Sequence, residues 1–406
     1  MNSANTLAEF TLIWLAIQDY FAYIDNMIIP RTILSSIRAK LDSKKIILVY
    51  GARQVGKTTL IKMLLDELPT VKALCINADE KKYSDVFSSR DLQKMRLLVD
   101  GYELLFIDEA QRIPDIGINL KILHDALPDL KIIVTGSSSL DLASKTREPL
   151  TGRVWTFTLY PIAISELLHI SNQFDIDQNL SQYLIYGFYP ETLTFMNTKD
   201  KYQYLQELSS SYLYKDILEM GSIKHHSKLH DLLRLLAFQI GSQVSFSELG
   251  NALSMSKDTV MSYIDLLEKS FVIFRLSGFS RNLRKEVSKM SKIYFYDLGI
   301  RNILIDNLNS LDFRDDIGKL WENFLMIERK KLLSYRRSFA NTYFWRTYTG
   351  AELDLVEERA GQLFGYEFKY KPKKIKVPKT WKETYPDATC FQVNRNNYFS
   401  FLTEEM

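Results

Sequence analysis

The chain has 406 residues, too many for one ordinary core, which points to several domains. Its 46% hydrophobic and 25% charged residues describe a folded globular protein, and a net charge of +3 excludes a whole-molecule field that would hold nucleic acid without local basic patches. Cys75 and Cys390, far apart and outside any CxxC pair, argue against a disulfide framework or a zinc site and suit a reducing cytoplasm. His225, His226 and His230 lack the companions of a metal cluster and read as a solvated helix face.

Residues 10–24 (FTLIWLAIQDYFAYI) are apolar, but Gln18 and Asp19 interrupt them, so no membrane span is expected. No Lys or Arg precedes Arg31, so a signal peptide is not expected either. Residues 1–27 are read as an N-terminal extension, with Met27 an alternative start. From Lys45 onward, apolar runs at 46–50 (IILVY), 71–77, 104–107 (LLFI), 131–134 (KIIV) and 154–159 alternate with helical stretches. This pattern predicts an α/β fold: a parallel sheet covered on both faces.

The first of these runs leads into Gly51-Ala52-Arg53-Gln54-Val55-Gly56-Lys57-Thr58, which satisfies GxxxxGK[ST] between a strand and a helix and is followed by Thr59. The glycines let backbone N–H groups curl toward phosphates, and the following helix adds its positive end. This assigns ATP binding to residues 51–59, with Lys57 on the β- and γ-phosphates and Thr58 on Mg²⁺. The run 104–107 delivers Asp108 to the Mg²⁺ shell and Glu109 to the attacking water. Beyond 131–134, the hydroxyls of Thr135, Ser137, Ser138 and Ser139 are placed for a γ-phosphate sensor or for helix capping. Arg147 and Arg153 flank the loop REPLTGR, and Arg153 is the stronger candidate for an arginine donated to a neighbouring subunit's nucleotide in a homo-oligomer.

The segments GARQVGKTTL, FIDEAQRIP, TGSSSLDL and LTGRVWTFTLYPIAISE together resemble the AAA-type ATPases of bacteria and archaea. They are most similar to the group with a C-terminal domain of unknown function built on a restriction-endonuclease-like core. The resemblance runs from about Ile28 to Val393 and implies functional positions for Gln111 and Arg153. One departure is Tyr-Gly187-Phe-Tyr-Pro190, where such proteins often carry paired glycines before the proline.

Residues 28–161 are thus expected to form the ATPase core and 162–235 a helical lid. In 236–300, Leu249, Leu253, Val260, Ile264 and Leu267 have helix–turn–helix phasing, with strand-like runs and basic Arg281, Arg284, Lys285 and Lys289 behind them. This predicts a winged helix, either contacting DNA or serving as a packing module, since Asp258, Asp265 and Glu268 share its second helix.

In 301–406, Glu322 on a helix, then Asp354, then Glu367 and Lys369 on one strand face resemble the PD-(D/E)xK nucleases. That resemblance implies a nuclease-like α/β domain with Asp354 and Glu367 on a metal and Lys369 beside a hydroxide. The alternatives are structural: Glu322 paired with Arg329 or Arg346, and Glu367 paired with Lys369. Seven lysines between Lys369 and Lys382 offer a phosphate-binding groove or a solvated loop. The function expected is an ATPase coupled to a nuclease-like domain that acts on or binds nucleic acid. The alternative is an ATP-dependent switch with a dead nuclease fold that binds a protein partner.

Overall fold

The computed structural model describes residues 28–137, 150–213, 226–280, 291–373 and 377–404. The N-terminal extension, Ser138, Ser139, Arg147, the basic run 281–289 and part of the lysine-rich loop lie outside the described residues.

Strands β1 (Ile46–Tyr50), β2 (Ala73–Asn77), β3 (Leu104–Asp108), β4 (Lys131–Gly136) and β5 (Val154–Thr158) form a parallel sheet in the order β2-β3-β4-β1-β5. Alternation along β1 loads both faces. Ile47 and Val49 join one buried cluster, while Ile46, Leu48 and Tyr50 join the other with Ile107, Leu120 and Val134. Because β4 lies between β1 and β3, the loop after β1, the end of β3 and the end of β4 converge on the sheet's carboxyl edge, where open α/β sheets bind ligands.

Residues 164–207 form four helices: Ile164–Leu167, Gln173–Tyr186, Pro190–Thr194 and Thr198–Glu207. Of these, Gln173–Tyr186 and Thr198–Glu207 pack on the helix Leu298–Leu304. In between, the helices His226–Phe238, Phe246–Leu253 and Lys257–Lys269 accompany an antiparallel sheet of β6 (Gln243–Val244), β7 (Ile273–Ser277) and β8 (Ser291–Phe295), in the order β6-β8-β7. Leu249, Val260, Ile264 and Leu267 are buried there, and Lys257 and Ser262 are exposed.

The C-terminal segment consists of the 20-residue helix Ile317–Arg336 against β9 (Asn341–Arg346), β10 (Glu352–Arg359), β11 (Gln362–Phe368) and β12 (Thr389–Val393). The pairs β9–β10 and β10–β11 are antiparallel and β11–β12 is parallel. Thirteen residues of the helix are buried, so it is sheathed on nearly every side. One buried cluster includes Ile33, Ile47 and Val49 and continues through Trp321 and Phe324 to Phe401.

Gly187, at the departure noted above, has a structural cause. Its φ is +76°, and a Cβ there would lie 2.1 Å from Asp297 Oδ1. Asp297 is buried and accepts from the Phe188 N–H (2.7 Å) and the Ile300 N–H (3.1 Å), tying the 186–190 turn to the start of the helix Leu298–Leu304. Gly187→Ala is expected to cost about 1–3 kcal/mol from the left-handed backbone, plus the clash, and to lower the thermal midpoint by several degrees. A midpoint equal to the parent's in differential scanning calorimetry would disprove this account of the glycine.

Candidate functional site

The loop after β1 is shaped by two close constraints. A Cβ on Gly51 would lie 2.2 Å from the Leu159 carbonyl, so only glycine fits where the chain leaves the strand. Gly56 turns through φ +94° to open the helix Lys57–Asp66, directing that helix's first N–H groups into the loop. Lys57 is 5% exposed, and its ammonium donates to the Gly51 (3.1 Å) and Ala52 (2.9 Å) carbonyls, which holds the loop closed around the cation. Thr59 is exposed on the helix's first turn, and Val55 is buried beneath the loop.

Asp108 collects the neighbouring strands. Its carboxylate accepts from the Thr58 hydroxyl (2.6 Å), from the Thr135 hydroxyl on β4 and from the Glu109 N–H (3.1 Å). Glu109 sits in the left-handed region at φ 52°, so the chain turns sharply after Asp108. Its carboxylate accepts from the Gln111 amide, which also donates to Ser137 Oγ (2.9 Å). The Gln111 amide thus clamps the Glu109 carboxylate to the end of β4. Gln111 Oε1 and Gln54 Oε1 are buried acceptors that have no hydrogen-bond partner among the described residues. They lie on the same carboxyl edge as the Thr58 and Asp108 oxygens, a donor set that suits a hydrated Mg²⁺ beside a nucleotide.

Arg153 is placed elsewhere. It precedes β5, at the edge of the sheet opposite the P-loop, and its guanidinium grips Asp125 through two bonds (2.8 and 3.1 Å). Within one chain it does not join the nucleotide site.

Arg31 is a residue that sequence reasoning missed. It is 7% exposed and touches four partners: the Val55 carbonyl of the P-loop (2.8 Å), the Tyr160 carbonyl (2.6 Å), Glu166 (3.1 Å) and the Tyr335 hydroxyl (3.4 Å). Burial would pull its pKa down, but Glu166 and Tyr335 raise it above its ordinary value, so it is a fixed cation. Glu166 also accepts from the Thr32 and Ala163 N–H groups, and Tyr335 accepts from the Tyr160 N–H (3.2 Å). Two turns earlier on the same helix, Glu328 accepts from the Ile164 N–H (2.7 Å) and from Lys331, which donates to the Ile162 carbonyl (2.8 Å).

The second candidate site is a cavity of about 340 Å³ lined by Glu322, Asp354, Glu367 and Lys369. Asp354 on β10 accepts from the Phe368 N–H of β11 (2.7 Å), and Lys369 pairs with Glu367 at 3.0 Å. Glu322 has a different partner from those expected. It accepts from Lys292 (3.0 Å) and the Tyr294 hydroxyl (2.6 Å), both on β8, while Arg329 binds Glu357 and Arg346 lies 3.7 Å from Glu352. The buried Lys292 ammonium also pairs with Glu352 at 2.5 Å and lies 4.0 Å from Asp354. Among the described residues no group of three or more His, Cys, Asp or Glu side chains has metal-ligand spacing. No helix among them is long and apolar enough to cross a membrane.

Comparisons with known proteins bear on each segment of the chain. Residues 43–168 match an AAA domain family, which supports a P-loop ATPase in this segment. Residues 177–311 and 317–402 match two domains of unknown function, DUF8612 and DUF4143. The chain is 28% identical over 353 residues to an uncharacterized protein of Mycobacterium tuberculosis, covering 86% of this chain and 76% of that one. It is 24% identical to an uncharacterized protein of Methanocaldococcus jannaschii, covering 76% and 72%. Among solved structures, the Walker-type ATPase of Pyrococcus abyssi is similar with a TM-score of 0.49 and 16% identity, covering 68% of this chain and 96% of that one.

Burial and the nearby Glu322 push the Asp354 carboxyl up to about 7. An unfolded aspartate ionises near about pH 4, so between about 4 and 7 the folded chain holds a proton that the unfolded chain has lost. Stability therefore falls as pH rises through that window. Asp354→Asn is expected to be more stable than the parent at pH 8, with the difference shrinking toward pH 4. A pH-independent difference in urea midpoints would refute the assignment.

Proposed function

We propose that the chain is an ATP-hydrolysing switch whose nucleotide state is passed to its C-terminal domain through the helix Ile317–Arg336. The observation that carries this reading is that the helix reaches both sites. Tyr335 contacts Arg31, which holds the P-loop's Val55 carbonyl, and Glu322 lines the acidic cavity. The two are 13 residues apart (335 − 322), about 20 Å along a helix whose burial leaves little room for independent movement of its ends.

At the nucleotide, Lys57 exchanges two loop carbonyls for the β- and γ-phosphate oxygens, and the N–H groups of residues 51–58 surround them. Thr58 and Asp108 would hold Mg²⁺, which supplies charge neutralisation on the phosphates. Glu109, steadied by Gln111, accepts the proton of the attacking water, while Ser137 and Gln111 register the γ-phosphate. Filling the loop changes the position of the Val55 carbonyl, which Arg31 holds. The same guanidinium binds Tyr335, so strain at one end is felt along the helix. Arg153, half-buried at the far edge of the sheet and held by Asp125, would reach a neighbouring subunit in a homo-oligomer only by leaving that pair.

The segment 236–300 reads as a winged helix that serves for packing, because its outer helix presents Asp258 as well as Lys257. The C-terminal domain reads as nuclease-like, with Lys292 closing the cavity. A second reading, cleavage of nucleic acid, is favoured by the meeting of Glu322, Asp354, Glu367 and Lys369 in one cavity. It requires the Lys292 ammonium to leave the acidic groups.

Lys57→Ala is expected to weaken ATP binding at least severalfold by calorimetry. Glu109→Gln should bind ATP normally and turn over roughly 10²-fold or more slower. Parent-level affinity in the first variant or parent-level turnover in the second would refute the site. For the second reading, Lys292→Ala with Mn²⁺ and single- or double-stranded nucleic acid should show cleavage that Glu367→Ala abolishes. Intact substrate in both would leave the switch reading alone.

A further inference from the structure

A cavity of about 410 Å³ opens where all three segments of the chain meet, and neither proposed site uses it. Tyr160 from the ATPase segment, Phe274 and Leu276 from β7, and Met326 and Leu333 from the long helix supply largely apolar walls. Phe339 stands at the rim 97% exposed, an aromatic side chain left uncovered beside an apolar hollow. Its size, its apolar walls and its position between domains are those of small-molecule sites.

The charges on its wall have one sign. Arg275, Arg329, Lys330 and Arg337 line it, and no acidic side chain does so among the described residues. Arg275 is bound to Glu268 and Asp265, and Arg329 to Glu357. Lys330 and Arg337 make no ion pair or side-chain hydrogen bond among the described residues. Their cations rest over rings instead: Lys330 lies 5.1 Å from the centre of Phe274, and Arg337 lies 4.8 Å from that of Phe157. Burial pulls the Lys330 pKa below its ordinary value, with Glu268 only partly opposing, so an arriving anion would relieve a desolvated charge.

We propose that this cavity binds one small organic anion per chain, with an aromatic or otherwise apolar body against Phe274, Leu276 and Met326 and an acidic group on Lys330 and Arg337. The apolar body accounts for the walls and the uncovered Phe339. The anion accounts for two cations without carboxylates in a hollow that excludes acidic residues. Inorganic anions would leave the walls unsatisfied, and neutral aromatics would leave the cations so. The inference needs neither ATP hydrolysis nor nuclease chemistry. It does place the occupant against Tyr160, whose carbonyl Arg31 holds.

The test is a calorimetric titration of the full chain with naphthalene-1-sulfonate as probe and 1-naphthylmethanol as its uncharged counterpart. The sulfonate should bind saturably at one site, and the alcohol roughly tenfold or more weakly. Lys330→Gln should reduce sulfonate affinity by a similar factor while leaving the alcohol unaffected, and Lys330→Arg should restore it. Restoration separates loss of the charge from loss of the fold. Equal binding of the two probes, an unchanged affinity in Lys330→Gln, or no saturable binding would overturn the proposal.

Discussion

The arrangement depends on one buried cation. Arg31 is taken out of water where a lone guanidinium would be costly, and it is tolerated because Glu166 neutralises it and two carbonyls and a hydroxyl accept its remaining donors. Removing one side of such a pair typically costs about 3–5 kcal/mol, since the other charge is stranded. Its partners come from the P-loop, the end of the ATPase sheet, the first helix after the sheet and the C-terminal helix. Their relative positions are therefore set together. A guanidinium suits this role where an ammonium would not, because its planar fork addresses several acceptors in fixed directions.

From that centre the two sites differ in how their charges are satisfied. At the ATPase edge, Lys57 and Asp108 are held by groups that a nucleotide can displace: loop carbonyls and hydroxyls. In the C-terminal cavity, Lys292 already neutralises Glu322 and Glu352 from within the chain, and Tyr294 adds a hydrogen bond. The first site is prepared for a ligand, while the second is occupied by its own ammonium. That contrast is why a switch accounts for the structure better than a standing nuclease does.

Sequence reasoning reached what short spacings encode. The P-loop is eight consecutive residues between a strand and a helix, and Asp108–Glu109 end an apolar strand, so local pattern alone located them. The parallel sheet followed from its apolar runs, and Glu322, Asp354, Glu367 and Lys369 do converge. Arg31 was invisible for the opposite reason: its partners lie 24, 129, 135 and 304 residues away, and nothing near it marks it as buried. Lys292 escaped likewise, since it reads only as the start of a strand-like run, while its partner Glu322 lies 30 residues further along the chain. Gly187 was noticed as an irregularity, yet its cause, Asp297, lies more than a hundred positions downstream. Motifs report local chemistry; the contacts that join domains are chosen by tertiary packing.

The central claim is that nucleotide at the P-loop is felt along the helix Ile317–Arg336. Hydrogen–deuterium exchange with and without ATP and Mg²⁺, in a Glu109→Gln background and with Tyr335→Phe added, measures this directly. The account predicts that ATP changes exchange in that helix and in β10 and β11, and that Tyr335→Phe removes the distal change while protection of residues 51–58 persists. A nucleotide effect confined to the ATPase sheet, or a distal effect that survives Tyr335→Phe unchanged, would contradict it.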